Sequence, residues 1–238
     1  MIEFVKKAIM KVLLRPVCEA LGIPAFCRKP SLNNLDDKLS KYLDFRNGVF
    51  VEAGGNDGIT QSNTYYLEKG LRWTGVLVEA IPELYAKCKK NRRNAQVFHG
   101  ALVASDFEGD TLTMRYANLM SVAEGAMDSK DLEDHVQEGL ECQHIDESYS
   151  VDVQVLTFDQ VLTDAGVTEI DFMSLDLEGY ELQAMRGMDF ERFRPKYILI
   201  EVRDLEAMEE FLGQRDYRRV EKLTVHDYLY EDRRSLRE

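Results

Sequence analysis

Short apolar runs alternate along the chain with stretches whose apolar residues recur at helical spacing. The runs at 49–53, 75–79, 95–98, 170–176 and 196–202 read as strands, and helices fit at 62–69, 82–92, 157–165, 179–187 and 204–213. Pro82 opens the second of these helices at a favourable first-turn position. This alternation predicts an α/β fold, a doubly wound and mostly parallel sheet with helices on both faces. The tail from Tyr217 to Tyr230 holds two short apolar or aromatic runs, which predicts an antiparallel hairpin on the sheet edge. Ala104 to Tyr149 breaks the alternation with an acidic, Met-rich stretch after the third strand. A long connection at that edge is usually functional, so a lid over substrate is expected at 104–149; a peripheral solvated helix pair is the alternative.

Ahead of the first strand, Ile2, Val5, Ile9, Val12 and Leu13 recur at helical spacing with Lys6, Lys7 and Lys11 between them, and Pro16 ends or kinks that helix. Arg28 to Asn47 is polar and reads as a linker. The expected division is therefore an amino-terminal amphipathic helix and lead-in segment at 1–47, then one domain at 48–238. The helix suits peripheral contact with an anionic membrane, and it equally suits packing on the domain or on a second subunit as a dimer contact.

Charge narrows the partners. The net charge is −13, although the first thirty residues are basic, with Lys6, Lys7, Lys11, Arg15, Arg28 and Lys29 against Glu3 and Glu19. Nucleic acid is not expected, because phosphate binding rests on Lys and Arg. Cys18, Cys27, Cys88 and Cys142 show no paired metal spacing and read as free thiols of a reducing compartment. No run is long enough to span a bilayer and no signal-peptide core is evident, so a cytoplasmic, or membrane-peripheral, location is expected.

The richest stretch is VFVEAGGNDGITQSNTYYLE, residues 49–68. Glu52 ends a strand, and Gly54, Gly55 and Gly58 follow where the chain must turn tightly toward a ligand. A second strand ends in Glu79, twenty-one residues after Gly58, where an acid can accept both hydroxyl hydrogens of a ribose. The pattern acid-x-Gly-x-x-x-Gly, with Asn56 and Asp57 inside it, is not the pyrophosphate-binding glycine pattern. An acid before the first glycine suits a phosphate-free ligand with an ammonium group, and S-adenosylmethionine fits.

A second constellation is IDFMSLDLEGYE, residues 170–181, which brings Asp176 and Glu178 to the carboxyl edge of the sheet. The run at 197–202 brings Glu201 to the same edge. Carboxylates gathered in a crevice raise one another's pKa and make a general base or a cation site. Helix capping is the competing reading for Glu178 and, more weakly, for Asp176.

These segments, together with VLVEAIPELY, TFDQVL and YILIEV, make the chain resemble the FkbM family of S-adenosylmethionine-dependent methyltransferases over about residues 49–202. The resemblance implies a class I, Rossmann-like fold with a seven-stranded sheet, and methyl transfer, most often to a hydroxyl of a sugar, glycan or secondary metabolite. Glu52 departs from the family's usual Asp at that position. On this reading Glu52 and the Gly54–Gly58 turn serve the methionine end of the cofactor, Glu79 its ribose, and His99-Gly100-Ala101 its adenine side, and Asn63 is a further cofactor-binding residue. Asp176 is the first choice as base, followed by Glu201 and His226. Asp176 and Glu201 are also the expected ligands should Mg²⁺ take part. Two alternatives use the same architecture, a non-catalytic adaptor and a nicotinamide-dependent oxidoreductase, the latter lacking its pyrophosphate pattern here.

Overall fold

The computed structural model describes residues 23, 27–144 and 146–235 of the 238-residue chain. The amphipathic helix expected near the amino terminus lies outside these residues. The expected strands are present as β1 (Val49–Ala53), β2 (Thr74–Glu79), β3 (Ala95–His99), β8 (Ile170–Leu175) and β9 (Pro195–Glu201). They pair in parallel, and the tail supplies the antiparallel hairpin β10 (Tyr217–Lys222) and β11 (Asp227–Asp232). The sheet order is β10-β11-β9-β8-β1-β2-β3. Strand order reverses between β1 and β8, so the crevice of a doubly wound sheet opens at their carboxyl ends.

The inner strands have side chains buried on both faces, which is why they read as continuous apolar runs. Val51, Met173, Leu175 and Ile198 pack on one side against Phe158, Leu162, Met185 and Leu212. These come from α5 (Phe158–Asp164), α6 (Glu181–Met185) and α7 (Leu205–Gly213). Phe50, Leu77, Phe172 and Leu199 face the other way. There they meet α2 (Tyr65–Leu71), Cys88 of α3 (Pro82–Asn91), and a helix not anticipated from the sequence.

That helix is α1 (Leu35–Leu43), within the stretch read as linker. Leu35, Leu39 and Leu43 recur every four residues and are buried against Phe50, Trp73 and Leu199. Lys38 Nζ donates to the Leu223 carbonyl (2.6 Å) and Tyr42 to Glu221 (2.8 Å), so α1 is tied to the hairpin as well as to the sheet. The polar residues around three leucines hid an amphipathic helix of only nine residues.

Residues 104–149 fold as β5 (Thr111–Arg115), β6 (Val122–Ala123) and α4 (Ser129–Gln143), neither wholly helical nor structureless. β5 pairs antiparallel with β7 (Ser150–Leu156), which in turn lies parallel to β4 (Ala101–Leu102), giving a second sheet of order β4-β7-β5-β6. Val151, Val153 and Val155 alternate with Asp152 and Gln154, the pattern of a half-buried strand. Asp128 caps α4 by accepting from the Lys130 and Asp131 amides, and Ala117, Val122, Leu132 and Val136 form its own small core.

If α1 belongs to the fold, Leu39→Ala should destabilise the protein by about 2–5 kcal/mol, as removal of a fully buried leucine does. Chemical denaturation measures this, and a stability equal to wild type would return 28–47 to the status of linker.

Candidate functional site

The acid that ends β1 points inward. Glu52 is 4% exposed and accepts from Ser62 Oγ (3.0 Å), the Asn63 amide (2.9 Å) and Thr64 Oγ1 (2.6 Å). Behind it lies Arg92, wholly buried at the end of α3. Its Nη1 donates to Glu52 (3.3 Å), Ser62 Oγ (3.0 Å) and the Gly58 carbonyl (3.2 Å), its Nη2 to Thr64 Oγ1 (2.7 Å), and its Nε to Glu68 (2.5 Å). A guanidinium only donates, so each nitrogen needs an acceptor when buried, and here each has one. Residues 62–64, expected as the first turn of a helix, are instead drawn onto Glu52, and α2 begins after them. Neither Arg92 nor its role was read from the sequence; an arginine twenty-four residues after an acid carries no spacing signal.

The glycines have distinct reasons. Gly54 has φ +84°, and a Cβ there would lie 2.0 Å from the Asp176 carbonyl oxygen, so the turn after β1 is pressed against the chain leaving β8. The Gly54 and Gly55 amides donate to the Val78 carbonyl (3.1 and 3.0 Å). Asp57 and Gly58 were expected at the cofactor, but the structure places them behind the cleft wall. The Asp57 carboxylate accepts from the Ile59 and Thr60 amides (2.8 and 2.7 Å), and a Cβ on Gly58 would strike Arg92 Cγ at 2.7 Å. They shape the turn from the rear.

In front of the turn is a cleft of about 860 Å³, lined by Glu52, Gly54, Gly55, Asn56, Asn63 and Glu79 at one end, and by Ala101 beside them. Glu79 is 6% exposed and accepts from the Asn56 and Ile81 amides, each at 2.7 Å. Burial pushes its carboxyl up to about 7 in spite of those bonds. Asn63 donates from Nδ2 to Ser174 Oγ (3.1 Å), while its Oδ1 is buried without a partner. An unmatched acceptor on this wall fits a ligand with an ammonium donor. His99 does not join the wall; its ring stacks on Tyr85 at 4.8 Å and its Nε2 lies 3.1 Å from the Ala80 carbonyl.

The other end of the cleft gathers the sheet-edge acids. One oxygen from each of Asp176, Glu178 and Glu201 lies within 4.8 Å of the others, and this is the one such potential metal-holding group among the described residues. The Asp176 side chain is exposed on the cleft surface. Desolvation by the protein around it first, then the charges of Glu178 and Glu201, hold its carboxyl well above the usual range. Glu178 is also raised, by burial and Glu201, against the pull of Arg203, which donates to it at 2.9 Å. Helix capping does not occupy Glu178. The helix that follows has no side-chain cap; Glu181, its first residue, accepts from the Leu177 and Gly179 amides (2.8 and 3.1 Å) and holds the turn before it. His226 is exposed on the hairpin turn and lines the same cleft. Met114, Met120 and His135 from 104–149 close the remaining side.

Breaking the buried ionic network is expected to be costly, because a lone charge is left behind. Arg92→Met should lower stability by about 3–5 kcal/mol. A melting temperature within 2 °C of wild type, on a scale of roughly 2–4 °C per kcal/mol for a domain this size, would show that the network is dispensable.

The methyltransferase FkbM domain matches residues 52–229. No curated protein matches the chain. Among solved structures, it is similar to a TehB-like SAM-dependent methyltransferase from Corynebacterium glutamicum, at 10% identity and TM-score 0.44, with 84% of this chain and 88% of that one covered. It is also similar to an RNA methyltransferase from Salinibacter ruber in complex with S-adenosyl-L-homocysteine, at 14% identity and TM-score 0.39, with 85% and 91% covered. A third is precorrin-6y C5,15-methyltransferase from Geobacter metallireducens, at 11% identity and TM-score 0.44, with 86% and 89% covered. The matched domain runs from the acid that anchors the glycine turn to the middle of β11, and the protein belongs to the FkbM methyltransferase family.

Proposed function

We propose that the protein is an S-adenosylmethionine-dependent O-methyltransferase acting on a hydroxyl of a sugar, glycan or secondary-metabolite acceptor. The observation that carries this is the contact between Gly54 and Asp176, which sets the cofactor turn directly beside a carboxylate of raised pKa in one cleft. Asn63 Oδ1 and the carboxylate of Glu52 are the acceptors at the ammonium end, Glu79 faces the ribose, and Ala101 borders the adenine. S-adenosylmethionine bound there supplies a methyl group already activated by its sulfonium.

What remains for the protein is orientation and one proton. Holding the acceptor hydroxyl in line can contribute up to about 7–11 kcal/mol in well-oriented systems, and a positioned base a further 10² to 10⁴ in rate, roughly. Asp176 receives the hydroxyl proton on its carboxylate, and its raised pKa keeps that oxygen basic enough to hold it. Glu201 stands behind it, and His226 is next in order. The convergence of Asp176, Glu178 and Glu201 favours one further reading, that these three oxygens hold Mg²⁺, which would acidify the acceptor hydroxyl. The lid closes the acceptor side with the adaptable apolar side chains of Met114 and Met120, and it excludes water.

Three measurements test this reading. S-adenosylhomocysteine affinity, followed by calorimetry, should weaken as pH falls through about 7, approaching tenfold per unit, because ionised Glu79 is the form that accepts two ribose hydroxyls. Glu79→Gln should flatten that dependence; a wild-type profile in the variant would take Glu79 away from the ribose, and no binding at any pH would favour the adaptor reading. Asp176→Asn should abolish label transfer to the acceptor found by screening glycans and metabolites with methyl-labelled cofactor, while cofactor affinity stays within about threefold. Wild-type turnover would pass the role of base to His226. Full turnover in excess EDTA would remove Mg²⁺ from the scheme.

A further inference from the structure

Helix α4 reaches the sheet-edge carboxylates through His135, a residue with no part in the proton transfer described above. The ring is 8% exposed. Its Nε2 lies 3.2 Å from the Met120 carbonyl and 3.4 Å from Glu178 Oε2, and its Nδ1 lies 3.4 Å from Arg203 Nη2. Arginine has no acceptor, so Nδ1 must be the unprotonated nitrogen and Nε2 must carry the hydrogen. That tautomer serves both hydrogen-bonded neighbours: Nε2–H donates to the Met120 carbonyl and Nδ1 accepts from Arg203, with Glu178 Oε2 beside the ring.

The residue held by this imidazole is itself in an unusual position. Glu178 has φ +53°, a left-handed conformation that a non-glycine residue adopts at a cost and keeps only when its surroundings impose it. Gly179 follows with φ +98°, and a Cβ on it would lie 2.9 Å from Arg203 Cδ, so Arg203 is laid across the turn. Arg203 holds Glu178 from the β9 side (2.9 Å) and His135 holds it from α4. The two holders also touch each other, which makes a closed triangle spanning the lid helix, the turn after β8 and the turn after β9.

We propose that His135 is a positioning residue through which the lid helix, packed against Glu178 and bonded to the Arg203 that holds it, sets that carboxylate in place beside Asp176 and Glu201. The lid is then part of the assembly of the carboxylate cluster as well as a cover over it. This deepens the proposed function and rests on the cluster being the acceptor end of that site. The contact itself can be tested without any acceptor.

Long-range proton–nitrogen NMR of the ¹⁵N-labelled full-length protein at pH 7.5 should show hydrogen on His135 Nε2; an Nδ1–H tautomer, which cannot accept from Arg203, would overturn the proposal. In hydrogen–deuterium exchange, His135→Ala should speed exchange of the α4 amides, residues 129–143, by tenfold or more. His135→Gln, whose amide can still donate to the Met120 carbonyl and accept from Arg203, should restore most of the protection, and Glu178→Ala should match His135→Ala. The double variant His135→Ala/Glu178→Ala should exchange no faster than either single variant. Wild-type protection in His135→Ala, additive effects in the double variant, or no rescue by His135→Gln would each overturn it. Should His135→Ala not fold, Glu178→Ala decides alone, and unchanged α4 exchange in it defeats the contact. Loss of S-adenosylhomocysteine binding by the wild-type protein would defeat the proposed function and leave these outcomes readable.

Discussion

A buried guanidinium governs the architecture of the cofactor end. Arg92 has no exposed surface, and the desolvation of its charge is offset only because Glu52, Glu68, Ser62, Thr64 and the Gly58 carbonyl surround it. Those partners come from the end of β1, the glycine loop and the start of α2, so satisfying one side chain fixes three segments at once. Glu52, which sequence patterning assigns to the ligand, faces both ways. It is a wall of the cleft and the counter-charge of the arginine behind that wall. The loop is thereby held in shape from the rear, and its front is left to the turn and to the unmatched Asn63 oxygen.

The opposite end of the cleft is arranged on a contrary principle. Three carboxylates are gathered with one guanidinium, Arg203, which is directed to Glu178. Asp176 and Glu201 are left to face each other and the cleft. Like charges held together in this way favour a proton, a cation or a positively charged group arriving from solution. The same electrostatics oppose ligands that bring phosphate or carboxylate groups to that end of the cleft.

The main sheet was legible because strands buried on both faces are apolar without interruption, and the acids at their carboxyl ends stand out against that background. Glu52, Glu79, Asp176 and Glu201 were visible for this reason, and all four line the cleft. What escaped the sequence depends on contacts distant along the chain. Arg92 meets residues 24 to 40 positions away, and His135 meets a glutamate and an arginine on other elements. Asp57 and Gly58 lie outside the cleft lining, and a glycine required by a neighbouring arginine, as Gly58 is, looks in sequence like one required by a ligand. α1 and β7 failed differently. Their periodicities, three leucines at four-residue intervals and three valines at alternate positions, were present but lay in polar surroundings.

The short pairing of β4 with β7 has a consequence for how this fold can diversify. Ala101 and Leu102 lie directly beside Val155 and Leu156, so the chain leaves the core and comes back to it at adjacent points. Everything between is a loop whose closure is already secured at its base, and lengthening such a loop costs only about 0.6 kcal/mol per doubling. The span at 103–154 is therefore an exchangeable cassette. Insertions, deletions or wholesale replacement there can change one wall of the cleft while the seven-stranded sheet and its buried arginine stay as they are.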